Sequence, residues 1–279
     1  PRPILPAAGV AAKPSHPLLR LVSVKPAPRL FTASALAAGP LALDAAAAHY
    51  LGTVLRLEPG AEVTLFNGRD GEWRARLLGI TRGAAALALE AQQRAQAPEG
   101  DLWLLFAPIK RGPLDFLVEK ATELGASRLQ PVLTARTNVE RVNLDRLAAI
   151  AREAAEQSER LTLPEIAPPL PLMAALAGWP QERRLFLCDE SGRAPPIARA
   201  LAGLAPGPAA VLTGPEGGFA ESELDALRKL PMLTAVGLGP RVLRSDTAAL
   251  AGLAVVQALI GDWSVARERP PGAPARPTP

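Results

Sequence analysis

The sequence predicts an α/β protein in which a small β-barrel domain precedes a larger domain built around a mainly parallel sheet. Short segments of alternating hydrophobicity, separated by turn dipeptides, occupy residues 28–97. In residues 98–265 the pattern changes to short apolar runs that alternate with amphipathic helices. The 279 residues, of which 48% are hydrophobic and 21% charged, are enough to form two packed cores.

The two ends of the chain differ from these domains in composition. Residues 1–27 are rich in proline without clear periodicity, and residues 266–279 combine proline, alanine and arginine. We therefore expect a flexible N-terminal extension and a disordered tail. No apolar run approaches the roughly 20 residues of a membrane span, and residues 1–27 lack the apolar core of a signal peptide. A cytoplasmic protein is the simplest interpretation.

One helix and three strands are predicted in the first domain. Asp44 can cap a short alanine-rich helix that runs to Val54, and the pair Pro59-Gly60 ends it as a turn. Three alternating segments follow, separated by glycine-containing turns, and they cover residues 62–66, 72–78 and 84–91. Residues 92–100 have the composition of a linker.

In the second domain, five apolar runs are short enough to be strands buried on both faces. They cover residues 102–106, 129–133, 185–188, 209–213 and 233–237. The clearest helix between them is 114–124, with one apolar stripe and Gly125 as its left-handed C-terminal cap. A further helix is expected at 221–230. The final helix, 247–260, is apolar almost all round, so it is either buried or lies at a subunit contact.

Composition argues against several enzyme classes. A single cysteine, Cys188, excludes an intramolecular disulfide and a cysteine-rich zinc site. With only His16 and His49, neither a histidine metal site nor a Ser-His-Asp triad is easily assembled, and we expect no metal. There is no P-loop and no Gly-x-Ser-x-Gly elbow, and Val242 stands where a dinucleotide fingerprint needs its third glycine. The formal charge of +4 permits a polyanionic partner without requiring one.

Two loops remain as candidates for chemistry, and each follows a predicted buried strand. Residues 213–218 read Thr-Gly-Pro-Glu-Gly-Gly, and residues 238–247 read Leu-Gly-Pro-Arg-Val-Leu-Arg-Ser-Asp-Thr. Ligands of open α/β sheets bind beyond the carboxyl ends of strands, and glycine lets a backbone approach a ligand closely. Either loop alone could be an ordinary turn, with Ser245 or Asp246 merely capping the final helix. Their coexistence predicts a ligand site between them.

These loops resemble the two signature loops of the RsmE family, SPOUT-class enzymes that methylate N3 of a uridine in small-subunit ribosomal RNA. The matching segments are 214–218 and 238–248. Shorter matches occur in the expected order at 28–31, 54–56, 110–111, 119–125 and 153–157 with Arg160. The resemblance therefore covers about residues 28–265.

The resemblance implies a PUA-like RNA-binding barrel over residues 28–97 and a SPOUT α/β domain with a C-terminal trefoil knot over residues 98–265. It also implies S-adenosylmethionine as cofactor, a homodimer formed through the knotted domain, and small-subunit ribosomal RNA or the assembled small subunit as partner. The implied cofactor contacts, mainly through backbone groups, are Leu212, Gly214, Gly217, Gly218, Leu238, Gly239, Leu243, Arg244 and Thr247.

For catalysis, we expect Arg244, or less favourably Arg241, to donate to a uridine carbonyl oxygen while Asp246 orients the arginine or accepts the N3 proton. The chain departs from the family where Ser245-Asp246 replaces the usual Thr-Glu and where Ala220 replaces a common capping serine. Six basic residues are candidates for phosphate contacts: Arg29, Arg56, Lys110, Arg111, Arg136 and Arg160.

Two alternatives stay open at this point. A SPOUT enzyme could act on another base or on a ribose 2′-hydroxyl, because the cofactor loops do not name the acceptor atom. A ribosome-assembly factor could also use the two domains to bind RNA without catalysis.

Overall fold

A computed structural model describes residues 27–138 and 141–264, which form two domains. The predicted extension up to residue 26 and the predicted tail lie outside the described residues. Within those ranges no helix is long and apolar enough to cross a membrane.

The first domain is a five-stranded sheet in the order β1-β3-β4-β5-β2, where β1 and β3 are parallel and the other pairs are antiparallel. Asp44 caps the first helix as predicted, since its carboxylate accepts from the Ala47 amide at 2.9 Å. That helix continues through a π-helical turn, Tyr50–Val54. The elements are β1 Arg29–Phe31, β2 Gly39–Leu43, α1 Ala45–His49, β3 Glu62–Phe66, β4 Glu72–Ile80 and β5 Ala85–Arg94.

Three sequence predictions in this domain need correction. Strands β1 and β2 were not predicted, because one has only three residues and the other begins with Gly39-Pro40, so neither has a clear alternating pattern. Strand β5 continues to Arg94, so the predicted linker begins too early. Long-range pairing with β4 stabilises those last polar residues as strand.

The second domain contains a parallel sheet in the order β12-β10-β11-β6-β7-β8, and β9 pairs with the far end of β7. All five predicted strands are present, with boundaries that differ by at most one residue. The strands are β6 Leu102–Phe106, β7 Arg128–Leu133, β8 Glu165–Ile166, β9 Leu170–Pro171, β10 Arg184–Cys188, β11 Ala209–Thr213 and β12 Leu233–Val236. The helices are α2 Arg111–Glu123, α3 Leu144–Gln157, α4 Leu172–Ala175, α5 Ile197–Ala200, α6 Glu221–Arg228 and α7 Ser245–Ile260.

Helix α7 buries one face within its own domain, which fits the first of the two alternatives from the sequence, while Leu259 remains 44% exposed. Ala249, Leu253 and Val256 are at most 1% exposed and belong to the same core cluster as helix α2 and strands β6 and β11. At Gly252 a Cβ atom would lie 3.0 Å from Val211 and 3.2 Å from Cys188, so a larger residue would push the helix off the sheet. This packing places the first turn of α7 beside the end of β11.

Hydrogen bonds from the buried side chain of Arg29 join the two domains. Arg29 Nε donates to Glu72 at 2.6 Å within the first domain, and its other nitrogens donate to the carbonyls of Ala155 and Arg160 in the second. Glu99 accepts from two nitrogens of Arg160, at 2.6 and 2.9 Å. Burial raises the pKa of Glu72, but its hydrogen bonds to arginines outweigh this effect and hold the pKa below its ordinary value. The barrel is therefore held against the second domain by Arg29, whose charge is paired with Glu72 inside the barrel while its other nitrogens bond carbonyl groups of the second domain.

Candidate active site

An open cleft of about 1160 Å³ lies beyond the carboxyl ends of β10, β11 and β12. Three loops form its walls: residues 189–196 after β10, residues 214–220 after β11 and residues 237–244 after β12. This is the position at which open parallel sheets bind ligands. The two loops predicted from the sequence therefore converge on one site.

The first predicted loop needs glycine at two positions. A Cβ atom at Gly214 would lie 2.9 Å from the Phe219 ring, closer than atoms pack. Gly218 has a φ of +69°, and a Cβ there would lie 2.6 Å from a carboxylate oxygen of Glu190. The bend is closed by the Gly218 amide, which donates to the Pro215 carbonyl at 2.9 Å. The backbone thus passes close to the cleft without side chains that would fill it.

A hydrogen bond connects the first loop to the second. Ser245 Oγ donates to the Gly214 carbonyl at 2.6 Å, and Ser245 is only 8% exposed. The prediction that Ser245 or Asp246 caps α7 is wrong, because Arg244 occupies the N-cap position and Ser245 is the first helical residue. The Ser245 hydroxyl bonds the other loop instead of the helix end. The two loops are therefore in direct contact.

A third wall, residues 189–196, was missed by sequence reasoning. Its backbone pairs with the second loop, since the Gly237 amide donates to the Pro195 carbonyl at 2.8 Å and the Ile197 amide donates to the Gly237 carbonyl at 2.9 Å. Asp189 stabilises the turn by accepting from the Ser191 amide and hydroxyl, each at 2.8 Å. This segment also follows a predicted buried strand, and that signal could have identified it.

The predicted catalytic side chains line the cleft together. Arg241 and Arg244 are exposed, and among the described residues neither makes a side-chain hydrogen bond. Asp246 Oδ1 accepts from the Thr247 amide at 2.8 Å, so its carboxylate is oriented at the first turn of α7. Two cations and one carboxylate are thus available at the cleft mouth for an incoming molecule.

The predicted cofactor residues fall into two groups. The first group lines the cleft and comprises Gly214, Gly218, Leu238, Gly239, Leu243 and Arg244. The second group adjoins the cleft without lining it. Leu212 is fully buried in the core on one face of the sheet, the Gly217 carbonyl accepts from Arg136, and Thr247 is exposed on α7.

Cys188 also lines the cleft, at the end of β10. Burial raises the pKa of its thiol to about 12. Thiolate, the reactive form, is therefore scarce at neutral pH.

Comparisons with known proteins identify the family. A sequence family described as an RNA methyltransferase domain matches residues 96–257, and one described as an RNA methyltransferase PUA domain matches residues 43–90. The chain is 33% identical over 211 residues to the ribosomal RNA small subunit methyltransferase E of Rickettsia conorii, covering 76% of this chain and 86% of the relative. It belongs to the RsmE family.

Two further RsmE proteins extend this similarity. The ribosomal RNA small subunit methyltransferase E of Synechocystis is 35% identical over 224 residues, covering 78% of this chain and 73% of the relative. The crystal structure of the enzyme of the same name from Neisseria gonorrhoeae, bound to S-adenosyl methionine, superposes with a TM-score of 0.77 at 30% identity. That match covers 85% of this chain and 99% of the other. The predicted fold class, a PUA-like domain before a SPOUT α/β domain, is confirmed, whereas the trefoil knot stays a prediction.

Two of the six predicted RNA contacts are wrong. Arg29 and Arg160 do match RsmE segments, but their side chains are only 9% and 7% exposed. Arg29 is bonded to Glu72, and Arg160 is bonded to Glu99 and to two carbonyl oxygens. The Arg29 guanidinium also bonds carbonyl groups of the second domain, whereas Arg160 is bonded within that domain, and neither group is free to contact phosphates. Sequence position alone does not distinguish a buried arginine from an exposed one.

Proposed function

We propose that this RsmE protein transfers a methyl group from S-adenosylmethionine to N3 of a uridine in small-subunit ribosomal RNA. Family membership makes it an S-adenosylmethionine-dependent ribosomal RNA methyltransferase. The proposal adds the identity of the acceptor atom, N3 of a uridine. The observation that supports the proposal best is the contact between the two signature loops through Ser245 and Gly214, beside an open cleft. Ribosomal RNA as substrate would place the reaction in the cytoplasm.

The residues of the cleft fit the proposed cofactor. Gly214 and Gly218 leave backbone exposed where a side chain would clash, which suits close approach of a nucleoside. Leu238 and Leu243 supply apolar surface for an adenine ring. Thr213 adds a buried Oγ1 that has no hydrogen-bond partner among the described residues. Gly214, Gly218, Leu238, Gly239 and Leu243 would therefore hold the cofactor, which supplies an electrophilic methyl group on a sulfonium when bound.

The arginines and Asp246 suit the chemistry of a uridine. N3 carries a proton between two carbonyl groups, so its alkylation requires removal of that proton and stabilisation of the resulting anion. Arg244 would donate to a carbonyl oxygen on which negative charge develops. Asp246, oriented through its bond to the Thr247 amide, would accept the N3 proton or orient Arg244. The remaining contribution of the protein is alignment of N3 with the methyl carbon.

Exposed cations of both domains are the proposed RNA contacts. Lys110 lines the cleft, Arg111 follows it at the start of α2, and Arg56 is exposed on the barrel with a φ of +55°. Arg136 is exposed, and its Nη1 donates to the Gly217 carbonyl at 2.8 Å. These positions would let phosphates be contacted from both domains.

We further propose that the partner is small-subunit ribosomal RNA, free or in the assembled small subunit, and that the enzyme is a homodimer through the second domain. Val242 in the second loop is 80% exposed, and Trp263 beyond α7 is 51% exposed. Apolar side chains this exposed suit a subunit contact. Sedimentation equilibrium should give twice the monomer mass, and a monomer at micromolar concentration would contradict the dimer.

The acceptor atom can be tested directly. Purified small subunits and free small-subunit RNA, both from cells that lack the enzyme, would be incubated with isotopically labelled S-adenosylmethionine and digested to nucleosides. Mass spectrometry should find the label in 3-methyluridine. A label in a ribose or in another base would contradict the proposed acceptor, and absence of cofactor binding by calorimetry would contradict the enzyme itself.

A further inference from the structure

The turn that follows β7 contacts the first signature loop at the cleft. This turn comprises residues 134–138 and is closed by Thr137, whose Oγ1 accepts from the Thr134 amide at 2.9 Å and whose own amide donates to the Thr134 carbonyl at 3.1 Å. Strand β7 lies two strands away from β11, across β6. The contact therefore joins parts of the chain that are distant in sequence.

Arg136 makes the first of these contacts. Its Nη1 donates to the Gly217 carbonyl at 2.8 Å, while its aliphatic carbons would lie 3.7 Å from a Cβ placed at Gly217. Gly217 stands next to Gly218, whose left-handed backbone forms the cleft wall. The guanidinium thus holds the peptide that precedes this wall residue.

Glu223 makes the second contact through both carboxylate oxygens. Oε2 accepts from the Ala220 amide at 2.8 Å, which completes the N-terminus of α6 even though Ala220 has no side-chain oxygen. Oε1 accepts from the Ala135 amide of the turn, also at 2.8 Å. A single carboxylate therefore ties the end of the first loop to the turn after β7.

We infer that Arg136 and Glu223 are positioning residues that hold residues 214–220 in the conformation that binds the cofactor. This inference rests on the proposed function, because it concerns the same cleft. The loop is hydrogen-bonded at Gly217 and at Ala220. Gly218, which lines the cleft, therefore lies between two peptides whose positions are fixed. Without these bonds the loop would have to be ordered at the expense of binding free energy. From the sequence, Arg136 is predicted to contact phosphates, and Glu223 is not among the predicted site residues.

The test measures cofactor affinity in the full-length protein without RNA. Arg136→Met removes the donor and keeps the aliphatic chain, Arg136→Lys keeps one donor, and Glu223→Gln keeps an acceptor for only one of the two amides. Arg146→Met is the matched control, because Arg146 is also exposed and bonded, but to Asp115 away from the cleft. Calorimetry gives the Kd for S-adenosylmethionine, and hydrogen exchange reports the Gly217 and Gly218 amides.

In Arg136→Met and Glu223→Gln, the Kd should rise about three- to tenfold, the equivalent of one lost hydrogen bond. Arg136→Lys should recover part of this loss, and Arg146→Met should match wild type. In Arg136→Met and Glu223→Gln without cofactor, amide hydrogen exchange at Gly217 and Gly218 should be faster than in wild type. It should slow again at saturating cofactor, and the Tm of both variants should be close to that of wild type.

Two results would overturn the inference. One is a wild-type Kd in both Arg136→Met and Glu223→Gln, and the other is a loss in Arg136→Met that appears only in RNA affinity. If wild type itself does not bind S-adenosylmethionine, the proposed function fails, which is a distinguishable outcome.

Discussion

At the scale of single residues, burial decides what each arginine does. Arg29 and Arg160 lie between the domains with paired guanidinium groups, whereas Arg241 and Arg244 are exposed at the mouth of the cleft. All four lie in segments that resemble the same family, and the sequence provides no means of separating them. Only the two exposed arginines can reach a substrate.

Substitution Arg244→Ala should reduce single-turnover methylation by about 10²- to 10³-fold, the loss measured when one donor to a developing oxyanion is removed. The Kd for S-adenosylmethionine should change far less, because the lost interaction forms in the transition state. The methylation rate of Arg244→Lys should lie between the rates of wild type and Arg244→Ala, since lysine keeps the positive charge without the planar guanidinium.

Arg241→Ala is the comparison for this prediction. Both arginines are exposed in the second loop, so general electrostatic effects should be similar in the two variants. An equal loss in both variants would assign the effect to charge at the cleft rather than to Arg244.

Substitution Gly218→Ala should weaken cofactor binding. The new Cβ would lie 2.6 Å from Glu190 Oε1 at a φ of +69°, so the loop must shift or Glu190 must move. Gly203→Ala is a matched control, because Gly203 has a φ of +76° with nothing within 4 Å. Both variants should lose about 1 kcal/mol of stability from the backbone conformation. Only Gly218→Ala should raise the Kd in calorimetry, and an unchanged Kd would remove Gly218 from the wall of the binding site.

At the scale of secondary-structure elements, one contact between helix α3 and strand β1 is made by a partly buried carboxyl group. Glu156 Oε1 accepts from the Phe31 amide at 2.9 Å. Burial raises the pKa of Glu156 above its ordinary value, although this hydrogen bond and the charges of Arg152 and Arg29 oppose the shift. Contact between these elements should therefore depend on pH.

The sign follows from the raised pKa. The Glu156 contribution to stability is fully present below the pKa of the unfolded chain, about 4.3 for glutamate. It is lost as the pH rises through the higher pKa of the folded state. Glu156→Gln keeps an acceptor for the Phe31 amide but cannot ionise. Relative to wild type, this variant should gain free energy of unfolding between pH 4 and pH 8.

Urea unfolding at several pH values tests this prediction. Asp145→Asn, an exposed position on the same helix, is the control for loss of a surface charge. If the difference between Glu156→Gln and wild type were independent of pH, the raised pKa would be contradicted.

At the scale of the whole molecule, the barrel is held to the α/β domain because arginines of the barrel donate hydrogen bonds to carbonyl groups of the second domain. The carbonyls of Ala155 and Arg160 accept from Arg29, and Glu99 in the connecting segment accepts from Arg160. An RNA strand that contacts both domains would therefore meet a surface of defined geometry. Preorganised binding surfaces of this kind reduce the entropic cost of association.

Binding of small-subunit RNA should weaken steeply with salt. In Lys110→Ala/Arg111→Ala, the slope of log Kobs against log salt concentration should decrease in magnitude by about 1.4, if each residue contacts one phosphate of single-stranded RNA. The exposed pair Arg199 and Lys229, changed together to alanine, controls for net charge. Filter binding at several salt concentrations measures the slope, and equal slopes in both double variants would remove Lys110 and Arg111 from the interface.

The sequence by itself determined five of the seven strands of the second domain, the capped helix at Asp44 and the two glycine-containing loops. These features depend on patterns within a few residues, such as alternation, apolar runs and turn residues, so they are visible along the chain. The same local signals carried the resemblance that the family comparisons confirmed.

Only the tertiary structure decided which residues meet. It buried Arg29 and Arg160, added residues 189–196 as a third wall of the cleft, and placed Arg136 and Glu223 against the first loop. Each of these results depends on tertiary contacts between residues that are far apart in sequence. Whether a charged side chain is buried and paired depends on those long-range contacts. Patterns of neighbouring residues along the sequence do not reveal them.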